Sequence, residues 1–189
     1  MGFIQGIDIH NFKINDNIFV IHGIFKVYKG ERRYRWYEKK NTRVVRVFIA
    51  GPFFNDEQIN RIKRLENALG NNPFVADIFS ARFYQHEHLT FGSTEWRTVV
   101  FHNDLKYLRR ADVVVAIHDF VNGCVDSGTA FELGYAYAFQ KPIILIKEKE
   151  SIPNLMLIES LHAYLANIED IVTYDFINMP RIPYKGPLV

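Results

Sequence analysis

Several features that would each have pointed to a function are missing from the sequence. There is one cysteine, Cys124, in 189 residues. A single thiol excludes an internal disulfide and a cysteine-rich zinc site. No apolar run approaches the roughly 20 residues that a membrane-crossing helix requires. The opening residues Met1–Gly6 show no basic stretch followed by an apolar core, and Gly6 stands where a myristoylation pattern needs Ser or Thr. The expectation is a cytoplasmic protein with no membrane partner. Neither G-x-G-x-x-G nor G-x-x-x-x-G-K-[ST] occurs, so dinucleotide-binding and P-loop readings lose their main support. Internal repeats and low-complexity tracts are also absent.

What is present reads as a packed chain: 48% hydrophobic, 15% aromatic and 23% charged residues. The net charge of +2 hides an uneven distribution. Residues 26–46 carry nine lysines and arginines against Glu31 and Glu38, and the rest of the chain is net acidic. Interleaved with aromatics, that basic block could bind single-stranded nucleic acid by stacking and phosphate attraction. A solvated hairpin face or a subunit contact is the favoured reading, so nucleic acid is not expected as a partner.

Two textures divide the chain near Asn41-Thr42. Residues 1–41 hold short apolar runs, Ile18–Ile21 and Ile24–Tyr28, a hairpin connection at Lys29–Arg32, and an alternating Arg33–Tyr37. They are expected to form a small antiparallel β appendage. Residues 42–189 alternate strand and helix patterns. Val44–Ala50, Phe74–Phe79, Asp112–Ile117, Pro142–Ile146 and Ile171–Tyr174 predict strands. Residues 56–69, 93–110, 129–140 and 155–165 predict helices. Five strands alternating with helices imply an α/β domain with a parallel sheet covered on both faces. Ligands of such sheets lie beyond the carboxyl ends of the strands, which directs attention to the turns after Ile49, Ile117 and Ile146.

The turn after Ile117 leads to Asp126-Ser127-Gly128-Thr129-Ala130-Phe131-Glu132. Asp126 is expected at the mouth of a helix and Glu132 in its first turn, where the dipole favours an ionised carboxylate. An ionised carboxylate facing a cleft can attack an electrophilic carbon, and a second carboxyl beside it can hold a proton. Thr129-x-x-Glu132 also fits a capping box, in which the Glu only ties off its own helix, and a loop Asp such as Asp126 often makes a local turn. Spacing leaves both readings open. His86 and His88 lack a third metal ligand in the sequence. Cys124 has only His118 nearby as a base and reads as a bystander.

Four stretches in order resemble the nucleoside 2-deoxyribosyltransferase family. They are Val47–Phe54, His102-Asn103-Asp104-Leu105, Asp126–Ala136 with Lys141–Leu145, and Asn154-Leu155-Met156. The resemblance covers the chain from about Val44 onward. It implies a doubly wound sheet of flavodoxin-like order and transfer of the 2-deoxyribosyl group between nucleobases with retention, with no cofactor and no metal. Deoxynucleosides and free nucleobases would be the substrates, and salvage the setting. It implies that Glu132 is the nucleophile, that Asp126 and Asp104 meet the nucleobase and help protonate it, and that Phe48, Gly51 and Phe53 belong to the substrate site. It also implies a homo-oligomer in which Asn154 and Met156 reach a neighbouring subunit's site. Phe53, Phe54, Phe48 and Tyr135 are candidates to line the pocket. The family carries Tyr where Phe48 stands, with a hydroxyl that helps hold the nucleophile near the sugar 2-position. Its loss here leads to the expectation that ribonucleosides are better tolerated. A 2'-deoxynucleoside 5'-phosphate N-hydrolase of the same fold is the alternative, and a non-catalytic nucleoside- or nucleic-acid-binding module is a third reading.

Overall fold

The computed structural model of the protein describes residues 44–189 in full and, ahead of them, the main chain of four short strands. The chain divides into two units, Met1–Thr42 and Arg43–Val189. In the first unit β1 (Phe12–Lys13), β2 (Ile18–Ile21), β3 (Ile24–Val27) and β4 (Arg35–Glu38) pair antiparallel in sequential order. The expected hairpin connection at 29–32 and the shared face of Tyr34 and Trp36 lie outside the described residues.

The second unit is a five-stranded parallel sheet. Its strands are β5 (Val45–Ala50), β6 (Val75–Ser80), β7 (Val113–Ile117), β8 (Ile143–Ile146) and β9 (Ala163–Leu165), in the order β6-β5-β7-β8-β9. That is the flavodoxin-like order, with its switch point between β5 and β7. The helices are α1 (Asp56–Gly70), α2 (Thr94–Arg110), α3 (Ser127–Ala138) and α4 (Leu155–Glu159). The strands read as unbroken apolar runs because both faces are buried. Val47, Ile49, Val115, Ile117 and Ile144 pack with Ile62, Leu65 and Leu69 of α1. Their alternates Phe48, Ala50, Val114, Ala116 and Leu145 pack with Leu108 of α2 and Leu133 of α3. The period of two along a strand thus builds two separate apolar layers.

Each helix begins at a polar cap. Asn55 accepts from the Gln58 amide at 2.9 Å, Ser93 from Trp96 at 3.1 Å, Asp126 from Thr129 at 3.0 Å and Asn154 from Met156 at 2.9 Å. Each such cap contributes about 1 kcal/mol.

The last third departs from the sequence reading. The helix expected over 155–165 stops at Glu159, and Ala163–Leu165 is the fifth strand, β9. Ile171–Tyr174, expected as that strand, instead belongs to a 3-10 turn over Ile168–Val172 and the residues that follow it. Ala163 and Leu165 are both buried, two apart, so the apolar period changes from helical to extended within the segment. Ile168 and Ile171, three apart and fully buried, pack in the same layer as α1. Tertiary packing there outweighs the strand preference of Ile, Val and Thr. Among the described residues no helix is long and apolar enough to cross a membrane.

Candidate active site

A cavity of about 500 Å³ opens at the carboxyl ends of β5, β6 and β7. Its floor is the turn after β5. Gly51 sits so close to the neighbouring elements that a Cβ there would lie 2.9 Å from Ile62 Cδ1 and 3.2 Å from Ile117 Cβ. A side chain there would have to displace Ile62 and Ile117, and the turn delivers Phe53 and Phe54 to the cavity wall. The second wall is α2, which presents Trp96, Val100 and Asp104. These residues are four apart and form one stripe. The third wall is the start of α3, with Asp126, Gly128, Thr129 and Glu132.

Asp126 caps α3 and accepts from the Thr129 amide at 3.0 Å. Gly128 leaves room beside it, since a Cβ at that position would stand 3.0 Å from Asp126 Oδ2. The cap therefore comes from Asp126 and not from Thr129, and Glu132 does not complete a capping box. With α3 starting at Ser127, Glu132 falls in the second turn. Among the described residues its carboxyl has no hydrogen-bond partner, and it faces the cavity with Asp104 and Asp126.

This position opposes the ionised form that a first-turn carboxylate would favour. The helix dipole fades within the first turn. Burial, followed by the nearby carboxylates of Asp104 and Asp126, pushes the Glu132 carboxyl well above the usual range. Burial also lifts Asp104, to about 6. Burial beside two other acids therefore disfavours the ionised form of Glu132.

Not every expected residue arrives here. Gly51, Phe53, Asp104, Asp126 and Glu132 line the cavity, and so does Phe54. Phe48 does not. It is 0% exposed, one residue before the cavity-lining Ile49, and its ring stacks on Phe79 with centroids 5.1 Å apart in the layer under α2 and α3. Strand alternation puts Phe48 and Ile49 on opposite faces of the sheet, and Phe48 lies buried beneath the helices that carry Asp104 and Glu132. Tyr135 is also outside, packed on Phe139 with its hydroxyl meeting Arg109. Asn154 and Met156 line a different groove of about 470 Å³ with Leu133 and Tyr137, and the Met156 side chain is 73% exposed.

Ser80, Ala81, Gln85, Phe91, Trp96 and Val100 are among the cavity residues that escaped sequence reasoning. Residues 80–93 carry no period, so nothing in their pattern gives a direction. Trp96 was recoverable, being two helical repeats before Asp104 on one helix. A larger cleft, about 680 Å³, lies at the amino ends of β8 and β9 and holds one carboxylate, Glu159. It is at the wrong end of the sheet for ligand binding in this fold class. Among the described residues no group of three or more His, Cys, Asp or Glu could hold a metal ion. His86 and His88 lie edge to face, 5.9 Å apart, and Cys124 is exposed on the loop before Asp126.

A switch-point cavity enclosing three carboxyls on a flavodoxin-like sheet defines an α/β enzyme. Residues 47–168 match the family model for nucleoside 2-deoxyribosyltransferases. The chain is 32% identical over 142 residues to a nucleoside deoxyribosyltransferase of Limosilactobacillus fermentum, covering 67% of this chain and 83% of that protein. It is also similar to the solved 2-deoxyribosyltransferase of Bacillus psychrosaccharolyticus, at 40% identity and a TM-score of 0.68 over 74% of this chain and 99% of that one. A conserved protein from Enterococcus faecalis shares the fold at 16% identity and a TM-score of 0.56, over 68% of this chain and 95% of that one. The chain belongs to the nucleoside 2-deoxyribosyltransferase family.

Proposed function

We propose that this protein transfers the 2-deoxyribosyl group of a 2'-deoxynucleoside to a second nucleobase through an ester on Glu132. The observation that carries the reading is the grouping of Glu132, Asp104 and Asp126 around one cavity at the switch point. A cavity of about 500 Å³ falls in the range that holds small organic ligands.

The proton count closes without a cofactor. An oxygen of the Glu132 carboxyl bonds to the anomeric carbon, the bond from that carbon to the base nitrogen breaks, and a proton held among the three carboxyls ends on the departing base. Asp104, with a pKa of about 6, is suited to pass that proton. Asp126 is held by its hydrogen bond to the Thr129 amide and presents its remaining acceptor sites to the base. A second base then attacks the ester from the face that the first one left, its proton returns to the carboxyls, and two displacements give retention. The apolar lining from Phe53, Phe54 and Trp96 disfavours water as the acceptor.

Asn154 and Met156 take part in this reading from a neighbouring subunit. An exposed Met156 beside an apolar groove supports a homo-oligomer that covers both. Exchange of bases on an existing sugar is salvage chemistry, and we place it in the cytoplasm.

The deciding experiment supplies deoxyinosine and free adenine. New deoxyadenosine supports transfer. Free deoxyribose without it points to the N-hydrolase, and unchanged substrate points to a binding module. Mass spectrometry after incubation with a deoxynucleoside alone should find a deoxyribosyl adduct on the Glu132 peptide.

A further inference from the structure

Phe91 is 82% exposed, the most exposed large apolar side chain in the described residues, and yet it lines the carboxylate cavity. Leaving a phenyl ring in water forgoes about 1.5–3 kcal/mol that burial would supply. The ring is nevertheless held in place. It packs against Trp96 with centroids 4.6 Å apart and the rings tilted by 52°. The Trp96 indole N–H donates to the Gln85 carbonyl at 3.1 Å, and the Gln85 side chain donates to the Ala81 carbonyl at 2.6 Å. The next residue, Gly92, has φ of +78°, a conformation glycine adopts freely. Ser93 then caps α2 through the Trp96 amide. Phe54, the other exposed aromatic of the cavity, is engaged by Phe53 and Phe120. Among the described residues, Phe91 has no aromatic partner except Trp96.

We infer that Phe91, backed by Trp96, is a stacking platform for the nucleobase and sets a preference for purines over pyrimidines. The inference rests on the transfer reading above. Trp96 precedes Asp104 by eight residues, about 12 Å along a helix. The platform therefore stands at the end of the cavity away from the acid pair. A purine joins the sugar through its five-membered ring, so its six-membered ring projects further from the anomeric carbon than a pyrimidine does. That outer ring extends toward the platform, and a single ring held by the same carboxyls offers it less surface. Stacking on an aromatic side chain contributes about 1–3 kcal/mol per base, roughly a 5- to 150-fold effect on binding.

The test measures adenine and cytosine as acceptors with wild type, Phe91→Ala and Phe91→Tyr. It adds calorimetric binding of both bases, which needs no turnover. Phe91→Ala should lower the adenine-over-cytosine ratio of kcat/KM about tenfold, chiefly through the KM for adenine, and lower the binding ratio to match. Phe91→Tyr, which keeps the π face, should restore both. A ratio unchanged within twofold overturns the platform, and so does an equal loss for both bases, because a merely structural residue would lower both together. Absence of transfer by wild type would count against the proposed function alone, since the binding ratio still decides the role of Phe91.

Discussion

Glu132 owes its chemistry to the depth at which α3 places it. One turn earlier it would sit in the helix dipole and ionise readily. In the second turn, beside Asp104 and Asp126, it favours the protonated form. Replacing Glu132 with Ala should lower deoxyadenosine formation by at least about a thousandfold, the scale seen when a nucleophile is removed, with base binding retained. Asp104 gives a second prediction. Its pKa is raised in the folded protein, to about 6. Both states hold the proton below the ordinary carboxylate pKa of about 3.9. Between there and about 6 the folded protein binds more protons than the unfolded chain, so stability falls as pH rises and stays lower above that window. Asp104→Asn removes the buried charge. It should raise stability by about 1–2 kcal/mol at pH 8 and leave it nearly unchanged at pH 3, as urea melts at the two pH values would show. Transfer should drop in the same variant.

At the scale of elements, the start of α3 serves as a helix terminus and as a catalytic wall. Asp126 caps the helix, and Gly128 leaves room for the capping carboxylate. The two roles can be separated. Asp126→Ala should lose the cap, about 1 kcal/mol of stability, together with activity. Asp126→Asn keeps a capping oxygen, so its melting temperature should stay near wild type while the transfer rate falls. If both variants melt early and both keep full activity, Asp126 is only a cap. The sequence made this helix visible through its apolar spacing but set its start two residues late. Thr129 resembles a cap as well as Asp126 does, and only the hydrogen bond distinguishes them. The same limit explains β9: a three-residue strand has too few positions to show its period against the helix before it.

For the whole molecule, the carboxylate cavity and the groove holding Asn154 and Met156 have no lining residue in common. If neighbouring subunits complete each other's sites, two inactive variants should rescue one another. Mixing Glu132→Ala with Asn154→Ala through dissociation and reassembly should restore transfer toward about a quarter of the wild-type rate, the fraction expected where a two-chain site draws both functional halves at random. A mixture no more active than its better component would mean that Asn154 acts within its own chain.

The sequence by itself determined the α/β class and four of the five parallel strands. β-branched runs bounded by turns specify buried parallel strands, alternating helices force the crossovers, and the motifs around Gly51, Asp104 and Glu132 mark strand and helix positions that the topology brings to one edge. Those features are local or periodic, so a linear chain displays them. Only the tertiary structure decided that Phe48 is buried against Phe79, that the Glu132 carboxyl is pushed above the usual range, and that Phe91 stands exposed at the cavity. Each depends on what surrounds the side chain in space: a neighbouring ring, two other carboxyls, or water. Residues far apart along the chain create that surrounding when they pack.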